Sequence, residues 1–450
     1  MTKRLIKPII VAILAFVARA VMGRYRPKVV MVTGSVGKTS TKDAVAAALS
    51  ERFSVRKSEK SFNSEFGVPF TILGVGNPWA NPVAWLIVVR KALALLLLPN
   101  HYPNLLVLEV GADKPGDLKR ILRIARPDAV VVTRLPAVPV HVEFYASPEA
   151  VREEEFAPAY ALSPGAPLIV CSDDPYALEM ASRVRAPLST YGFDAASSVR
   201  LSDIAWHKED GVVVGMRAKI TVGIQTAPLV IRGSVGKTQL LPAAAAIATA
   251  AVFNISLADA ITALGGYEPP AGRGRLFRGV HNSVIIDDSY NSSPVALEEA
   301  LDTLASFPIE GRPASAPSSH KATNGHSKAT AGKRIAVLGD MLELGRYSVM
   351  EHERVGERVA HSVDLLVSVG IRARGLAASA RAKGLSDERI LSFDDAASAA
   401  VALPSLLQQG DVLLVKGSQS IRTERIVEAL LASPADRTRL VRQDRQWQKR

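Results

Sequence analysis

A lysine and a threonine follow a short glycine-rich turn near the start of the chain. Residues 34–40 have the sequence Gly-Ser-Val-Gly-Lys-Thr-Ser and follow a β-branched run. Glycines let the backbone curl so that several N–H groups and the next helix N-terminus face one anion. Lys38 would bring a charge to the β- and γ-phosphates, and Thr39 a hydroxyl to Mg²⁺. A purely structural turn is the alternative. The predicted ATP-binding residues are Gly34, Ser35, Gly37, Lys38, Thr39 and Ser40.

The string Gly-Ser-Val-Gly-Lys-Thr occurs a second time, at residues 233–238. Here Gln239 follows the threonine, Pro242 lies in the alanine-rich segment that comes next, and no acidic residue is close in sequence. We therefore expect a chance recurrence and not a second nucleotide site.

The elements around the first loop alternate between short apolar runs and helical patterns. Continuous apolar runs at 105–110, 129–133 and 167–171 are typical of buried parallel strands. Residues 212–230 are rich in β-formers, and alanine dominates a predicted helix at 243–251. These patterns indicate the α/β class, with a mostly parallel sheet around the phosphate loop.

A second, Rossmann-like α/β unit begins after the pair Pro269-Pro270. Its predicted strands are 283–287, 334–338, 365–368 and 411–415. We expect a central ATP-binding domain at 28–270, a C-terminal domain at 271–436 with a flexible insertion at 312–332, an N-terminal segment at 1–27 and a basic tail at 437–450.

The chain has 450 residues, a net charge of +12 and a single cysteine, Cys171. One cysteine excludes an internal disulfide framework. The sequence contains no recognisable nucleic-acid-binding module, so we expect no nucleic-acid partner. Phosphorylated ligands and an anionic membrane surface account better for the excess positive charge.

The N-terminal segment is apolar with basic flanks. The run 8–18 ends in Ala18-Arg19-Ala20, which is similar to a secretory cleavage site. The run is shorter than the ~20 residues that span a bilayer, and the ATP loop that follows implies the cytoplasm. We therefore expect a retained helix that lies on the membrane or packs on the protein. With a second apolar stretch, this pattern favours a cytoplasmic protein that contacts the inner membrane face through residues 5–22 and 85–98.

Several segments beyond the loop resemble the Mur ligase family in order and spacing. They are residues 61–69, 108–112, 287–294, 337–345, His352, and 415–418 with Arg422 and Glu424. The resemblance implies a ligase that converts a carboxylate into an acyl phosphate with ATP and then joins it to an amine. It further implies peptidoglycan synthesis, with a muramoyl-peptide precursor and D-Ala-D-Ala as substrates.

The resemblance also assigns catalytic and metal-binding residues in the first unit. Thr39 and Glu109 would hold one Mg²⁺ beside Lys38, and His141 would hold a second ion near the acyl phosphate. Carboxylate and hydroxyl oxygens suit Mg²⁺. The alternatives are a solvated strand-end acid for Glu109 and a plain loop histidine for His141.

In the second unit, Arg273 resembles the family arginine that reaches the phosphates. Asn291 resembles the residue at the adenine, and Asp288 is expected near the ribose. A surface arginine beside a linker is the alternative for Arg273.

Four further residues are expected to bind substrate. Asn63 lies in the segment at 61–69, and Asp340, Lys416 and Ser418 follow strands of the second unit. The last three are placed to bind the incoming amino substrate or its carboxylate. Capping of the following helices is the alternative for them.

The chain departs from the family pattern at three places. Glu155 stands fourteen residues after His141, where the family usually has a carbamylated lysine. Glu155 either binds Mg²⁺ directly or through water, or the second metal site is impaired; a solvated acidic face is the alternative. Thr238 and Gln239 replace a histidine and an asparagine. About 27 residues precede the first strand, so we expect the family's N-terminal domain to be missing and the acceptor to be UDP-linked or lipid-linked.

Two other functions remain open. One is a related ligase of the polyglutamate type, against which the run Gly339–Gly345 argues. The other is a non-catalytic nucleotide-binding partner at the membrane, which the changes at Glu155 and Thr238 would permit.

Overall fold

A computed structural model describes residues 2–59, 61–79, 81–312, 332–444 and 447, with side chains from Lys7 onward. The predicted insertion at 312–332, apart from its two ends, lies outside these residues. The chain divides into two compact units. Unit 1 contains residues 1–204, 217–229 and 240–267, and unit 2 contains residues 205–216, 230–239 and 268–450.

The phosphate loop follows the central strand β1 (Lys28–Thr33) of the first sheet. The other strands of this sheet are β2 (Val55–Lys57), β3 (Leu105–Glu109), β4 (Ala129–Val132), β5 (Leu168–Cys171), β6 (Leu188–Gly192), β7 (Val199–Glu209), β8 (Val212–Val222) and β9 (Gln225–Arg232). Their order within the described residues is β2-β3-β1-β4-β5-β6-β7-β8-β9. Strands β1 and β3 to β5 are short apolar runs that are buried almost throughout, as parallel strands covered on both faces must be. Strand β2 is short, partly basic and less buried.

The register of β1 places the phosphate loop beside the ends of β3 and β4. β1 pairs in parallel with β3 and β4, with Val32 opposite Glu109 and Thr33 opposite Val132. The carboxyl ends of the three strands therefore lie side by side, which is where open α/β sheets bind ligands.

Nine α-helices accompany this sheet within the described residues, and four of them begin at side-chain caps. They are α1 (Thr2–Tyr25), α2 (Lys38–Leu49), α3 (Gly67–Leu73), α4 (Pro82–Leu97), α5 (Asp117–Leu122), α6 (Pro148–Tyr160), α7 (Pro175–Ala181), α8 (Leu241–Val252) and α9 (Leu257–Leu264). Asn81, Ser147 and Asp174 cap α4, α6 and α7 with their side chains, and a proline follows each cap. The alanine-rich α8 is buried along most of its length, because its small side chains allow close packing.

The second sheet is the core of unit 2. Its strands are β10 (Arg275–Arg278), β11 (Val284–Asp288), β12 (Arg334–Gly339), β13 (Leu365–Val369), β14 (Ile390–Phe393) and β15 (Val412–Lys416), in the order β10-β11-β15-β12-β13-β14. All neighbours are parallel except β10 and β11. The helices are α10 (Pro294–Ser306), α11 (Ser348–Ser362), α12 (Ala373–Ala382), α13 (Ala396–Ala402) and α14 (Glu424–Leu430).

The predicted α/β class, with a mostly parallel sheet and a second α/β unit, is confirmed. The predicted strands of unit 2 are each found within one residue of their expected bounds. The segment expected as a basic tail from residue 437 contains packed residues in its described part, because Leu440 and Val441 are buried and the Arg442 side chain is only 5% exposed.

Candidate active site

The turn between β1 and α2 has the conformation that its glycines predict. Gly34 and Gly37 have φ values of 116° and 88°, which residues with a side chain rarely adopt. A Cβ at Gly34 would also lie 2.3 Å from the Thr133 hydroxyl oxygen. Gly37 is the N-cap of α2 and has no side chain to cap it. The first turn of α2 thus presents its N–H groups and positive dipole end at the turn, as an anion requires.

Thr39 and Glu109 form a hydrogen-bonded pair beside the turn. The Thr39 hydroxyl donates to Glu109 Oε1 at 3.2 Å, and the two residues are only 6% and 1% exposed. The alternative of a solvated strand-end acid is therefore wrong for Glu109. A hydroxyl and a carboxylate are oxygen donors of the kind that Mg²⁺ shares with phosphates and water, so these residues fit the implied ion.

Lys42 is a neighbour of this pair that was not predicted from the sequence. Its ammonium group is buried, donates to the Ser58 carbonyl at 2.7 Å, and lies 4.0 Å from Glu109 Oε2. Lys42 follows Lys38 by one helical turn, and that i, i+4 spacing was the available signal.

Asn63 lies close to the end of Lys38. The Gly111 N–H donates to the Asn63 carbonyl at 3.2 Å. A Cβ at Gly111 would lie 3.1 Å from Asn63 Nδ2 and 3.3 Å from Lys38 Cε. Because Gly111 has no side chain, both Asn63 and Lys38 can approach its Cα.

Glu155 reaches the phosphate loop from α6. Its carboxylate accepts a hydrogen bond from the Ser35 hydroxyl and lies 3.6 Å from the Lys38 ammonium. Lys38 also donates to the Gly34 carbonyl. Glu155 is 2% exposed, so the alternative of a solvated acidic face is wrong for this residue.

His141 lies on a separate loop with left-handed backbone, at φ 68°. Its Nε2 is 3.5 Å from Asp113 Oδ1. Arg152 supports the same loop by donating to the carbonyls of Pro136 and Ala137. Among the described residues, no three His, Cys, Asp or Glu side chains lie close enough to form a ready metal site.

Lys416 forms the centre of a second cluster, in unit 2. Its ammonium donates to Asp288 Oδ2 at 2.6 Å and to the Asn291 carbonyl at 2.9 Å. Asp288 is the register partner of Lys416 in neighbouring strands. Burial lowers the pKa of Lys416, although the charge of Asp288 opposes that shift.

Arg273 lies between two glycines with positive φ, Gly272 and Gly274. Its guanidinium stacks over the Tyr290 ring at 4.1 Å. This contact is a cation–π interaction, so Arg273 differs from the loose surface arginine that was the alternative. Tyr290 was not singled out from the sequence, although it lies within the segment 287–294.

The repeated string at 233–238 supports the backbone around Arg273. Ser234 donates its hydroxyl to the Arg273 carbonyl at 2.6 Å, and the Val235 N–H donates to the Gly274 carbonyl at 2.9 Å. A 3₁₀ turn at Lys237–Leu240 follows instead of an α-helix. A Cβ at Gly236 would lie 2.7 Å from the Thr303 hydroxyl. That the second string is not a nucleotide site stays a prediction.

Asp340 and Ser418 each have a structural partner. Asp340 accepts a hydrogen bond from the Ala373 N–H at the start of α12, at 2.8 Å. Ser418 accepts one from the Leu342 N–H at 2.8 Å. Helix capping, the alternative for Asp340, therefore has direct support, although the helix is α12 and not the next one along the chain.

His352 lies behind the loop that follows β12. Its Nε2 accepts from the Met341 N–H at 3.0 Å, and its Nδ1 bonds the Ser348 carbonyl at 2.6 Å. Burial lowers the pKa of His352, which favours the neutral ring that this pair of bonds requires. His352 therefore braces the loop that contains Asp340.

Arg442 fixes the segment that contains Asp288 and Asn291. It donates to the carbonyls of Ser289 and Tyr290 and to the Glu424 carboxylate. Neighbouring Asp287 is fully buried, and burial raises its pKa to about 6. The predicted nucleotide segment of unit 2 is therefore anchored to Arg442 through two of its backbone carbonyls.

Comparisons with known proteins agree with this architecture. The family model for the Mur ligase middle domain matches residues 89–250, and the model for the Mur ligase glutamate ligase domain matches residues 312–419. The UDP-N-acetylmuramoyl-tripeptide--D-alanyl-D-alanine ligase of Bacillus subtilis (strain 168) is 27% identical over 418 residues, which are 93% of this chain and 79% of the relative. The ligase of the same name from Synechocystis is 28% identical over 411 residues, 91% of this chain and 76% of the relative.

A solved structure gives the same result. The crystal structure of the MurF ligase from Thermotoga maritima in complex with ADP has a TM-score of 0.72 and 26% identity, and the match covers 93% of this chain and 83% of that one. A phosphate-loop α/β unit joined to a second parallel α/β unit thus defines the class of ATP-dependent ligases that form amide bonds. Within that class, the chain belongs to the Mur ligase family.

Proposed function

We propose that this protein joins the carboxylate of a muramoyl-tripeptide precursor to the amino group of D-alanyl-D-alanine, with ATP, in peptidoglycan synthesis. The observation that supports this most is the cluster of Lys38, Asn63 and the buried Thr39–Glu109 pair at the carboxyl ends of β1 and β3. Relatives that match over nine-tenths of the chain carry the name of that ligase.

The reaction has two steps. A carboxylate oxygen of the precursor attacks the γ-phosphorus of ATP, the bond to the bridging oxygen breaks, and ADP leaves. The amino nitrogen of D-Ala-D-Ala then attacks the acyl carbon, inorganic phosphate leaves with the electron pair of the C–O bond, and the nitrogen loses a proton. Negative charge develops on the transferred phosphoryl group, so prepositioned cations lower the barrier.

In unit 1, we assign Lys38 and the N–H groups of the loop to the phosphates. Thr39 and Glu109 would hold Mg²⁺, which offsets the charge of the β- and γ-phosphates when bound. His141 is the proposed ligand of a second Mg²⁺, with Glu155 as a direct or water-mediated partner. The contact between Glu155 and Lys38 supports an additional role for Glu155 in holding the lysine over the loop.

In unit 2, we assign Arg273 to the phosphates and Asp288 and Asn291 to the nucleoside. The stacking of Arg273 on Tyr290 and the backbone bonds from Ser234 support a fixed arginine.

Asp340, Lys416 and Ser418 are assigned to the incoming amino substrate. Lys416 ends β15, and Asp340 and Ser418 follow β12 and β15, which are adjacent in the sheet; this placement supports a shared site. Asp340 and Ser418 would act through their free lone pairs, because each already accepts a backbone hydrogen bond.

The test is a reaction of the purified full chain with ATP, Mg²⁺, UDP-muramoyl-tripeptide and D-Ala-D-Ala, followed by phosphate release and product mass. We expect release that requires both substrates and a product heavier by the dipeptide. Lys38→Ala should abolish release, whereas Lys237→Ala, the same position in the repeated string, should retain it. Release that requires glutamate would favour a polyglutamate-type ligase, and tight ATP binding with no release for any acceptor would favour a non-catalytic partner.

We further propose that the ligase acts at the cytoplasmic face of a membrane, in contact through residues 5–22 and 85–98. The acceptor would then be UDP-linked or lipid-linked. Parallel reactions with a soluble and a vesicle-borne muramoyl-tripeptide distinguish the two, and a protein that uses only the soluble acceptor at equal rates with and without vesicles would contradict the membrane proposal.

A further inference from the structure

Helix α1 has one buried face and one exposed apolar face. Leu14, Ala18 and Val21 are 5%, 0% and 0% exposed and belong to the hydrophobic core of unit 1. On the remaining surface, Ile9, Ile13 and Phe16 are 60%, 57% and 65% exposed. The spacing of four and three residues places these three side chains in one stripe.

Helix α4 has the same division. Val88, Ala92 and Leu95 are buried in the same core. The exposed apolar residues along α4 and at its end are Val83, Leu86, Ile87, Val89, Leu93, Leu97 and Leu98, each more than half exposed. We call these residues, together with Ile9, Ile13 and Phe16, the apolar platform.

The two helices are tied to each other at their C-terminal ends. Arg24 donates to the carbonyls of Leu96 and Leu98, and the Tyr25 hydroxyl donates to the Leu95 carbonyl at 2.9 Å. The Tyr25 ring also stacks on Tyr102 at 4.5 Å. Because the helices contact each other and share one core, both exposed faces point away from that core. Together they expose ten large apolar side chains, and a concentration of such side chains on neighbouring helices marks a partner or membrane surface.

The charge of the two helices is of one sign. Residues 2–25 and 82–97 contain five and two Lys or Arg residues, respectively, and no Asp or Glu. Among them, Arg19, Arg24 and Arg90 are exposed. Apolar helices with basic side chains and no acids complement an anionic lipid surface. The same charges disfavour a second copy of this chain as the occupant, because two copies would place cations against cations.

A basic groove adjoins α1. Its volume is about 600 Å³, and its lining includes Lys7, Arg19, Arg120 and Arg123 above the small apolar residues of α1. Glu65 is the one acid of the lining and lies 3.7 Å from the Lys7 ammonium and 3.4 Å from Arg120. Arg120 also pairs with Asp117 at 2.9 Å, outside the lining. The four cations outnumber these two carboxylates, and the surplus suits the phosphate of a lipid headgroup.

We infer that α1 and α4 dock unit 1 flat on an anionic phospholipid bilayer, with the apolar platform at the acyl boundary and a lipid phosphate in the groove. By length and composition alone, the part of α1 from Lys7 to Tyr25 is sufficient to cross a membrane. Crossing would expose the core behind Leu14, Ala18 and Val21 and break the Arg24 and Tyr25 bonds. The docking therefore leaves both helices on one side of the bilayer, and it does not depend on the ligase reaction.

The test is cosedimentation of the full chain with vesicles, without ATP, which separates it from any test of activity. We expect binding to phosphatidylcholine vesicles that contain phosphatidylglycerol and weaker binding to phosphatidylcholine alone. The double variant Phe16→Glu and Leu86→Glu should lose at least about tenfold in affinity, because two apolar anchors are replaced by charges that anionic lipid repels. Ile224→Glu, at a fully exposed apolar position of unit 1 outside the platform, is the matched control and should bind like the wild type.

A second variant pair tests the groove. Arg19→Gln with Arg123→Gln should weaken binding to the anionic vesicles by several fold and reduce its salt dependence, because about two charges near the lipid are lost. ATP binding, measured for every variant, confirms the fold.

Three results would overturn the inference. In the first, the wild type stays in the supernatant with anionic vesicles at low salt. In the second, a lipid-free dimer is disrupted by Phe16→Glu and Leu86→Glu, which makes a second copy the occupant. In the third, the protein resists carbonate extraction from cell membranes, which makes α1 a spanning helix.

Discussion

The Lys38 ammonium interacts with its own loop and with a carboxylate from α6. Glu155 adds a negative charge 3.6 Å from the lysine that is proposed to meet the phosphates. An ion pair of this kind orients the lysine but also opposes an incoming polyphosphate, so the two effects on ATP differ in sign.

Glu155→Gln separates these effects. The amide keeps an acceptor for Ser35 and removes the charge, so we expect ATP to bind several fold more tightly, by about 1 kcal/mol, while kcat falls about tenfold as Lys38 loses its anchor. Calorimetry of ATP binding and steady-state rates provide the two measurements. Weaker binding of Mg²⁺–ATP in the variant would instead indicate that Glu155 acts mainly through an ion. Glu153→Gln, on the exposed part of the same helix, is the control.

The two glycines of the phosphate loop should differ in their tolerance of alanine. Both have positive φ, but only Gly34 also has an atom, Thr133 Oγ1, within 3 Å of a new Cβ. We expect Gly37→Ala to lose about 1 kcal/mol of unfolding free energy and Gly34→Ala about 2–4 kcal/mol. Gly375→Ala, inside α12 with open space around it, should gain about 0.5–1 kcal/mol. Urea unfolding measures all three, and an equal loss at Gly34 and Gly37 would contradict the steric argument.

The buried carboxyl of Asp287 should make stability depend on pH. Its folded pKa is about 6, above the ~3.9 of an unfolded aspartate. The folded state therefore holds the proton more tightly, and the stability that this provides is full below about pH 4 and is lost as pH rises through 6.

Asp287→Asn removes this dependence. The unfolding free energy of the variant minus that of the wild type should rise by up to about 3 kcal/mol between about pH 4 and pH 7. Urea unfolding across this range measures the shift. A difference that stays constant with pH would show that Asp287 has an ordinary pKa.

At the scale of elements, α6 supports three loops from residues within about one helical turn. Arg152 holds the carbonyls at 136–137, Glu154 accepts from the N–H groups of Gly116 and Leu118, and Glu155 contacts the phosphate loop. One helix therefore couples the loop of His141 to the loop of Lys38. A run of three glutamates is typical of a solvated face, and only the packing of α6 shows which of them is buried.

The repeated string offers a test of positioning in unit 2. Ser234→Ala removes the hydroxyl that holds the Arg273 carbonyl and should cost about 1 kcal/mol of stability. If Arg273 serves the phosphoryl transfer, kcat should fall by several fold while the Kd for ATP changes little. Ser256→Ala removes the N-cap of α9 and should cost similar stability without a change in kcat. Equal kcat values for the two variants would exclude a positioning role for Ser234.

Strands β2, β10 and β14 were not predicted, because they are short and partly polar. The other strands of the second sheet were predictable because each is a short, largely apolar run, and β12 and β13 begin within one residue of expectation. Their order was not, because β15 inserts between β11 and β12. That insertion places Lys416 beside Asp288, 128 residues away in sequence. Local sequence patterns hold no information about such pairings. For the same reason, the burial of Glu155 and the stacking of Arg273 on Tyr290 could not be predicted.

At the scale of the whole molecule, the proposed residues are divided between two units. Unit 1 contains Lys38 and Glu109, and unit 2 contains Arg273 and Lys416. A ligand that engages the phosphate loop should stabilise the folded chain by an amount that grows with the logarithm of its concentration divided by its Kd. We expect saturating Mg²⁺–ATP, at about 100 times its Kd, to add about 2.7 kcal/mol.

The stabilisation by Mg²⁺–ATP should distinguish the phosphate loop from the repeated string at 233–238. Lys237→Ala should keep the stabilisation by ATP and Lys38→Ala should lose most of it. Thermal unfolding with and without Mg²⁺–ATP measures both variants under the same conditions. Loss of the shift in Lys237→Ala alone would reverse the assignment of the nucleotide site.

Cys171, the one thiol in the sequence, lies in β5 and is buried, and burial raises its pKa to about 12. Ordinary maleimide labelling should therefore leave the native protein untouched, since the reactive thiolate is scarce and inaccessible. Cysteines introduced at Ile224 and Val401, both exposed and in different units, would accept a pair of fluorophores on an otherwise native background. Energy transfer between them, recorded as ATP and substrates are added, would give the distance between the units at each stage of the reaction.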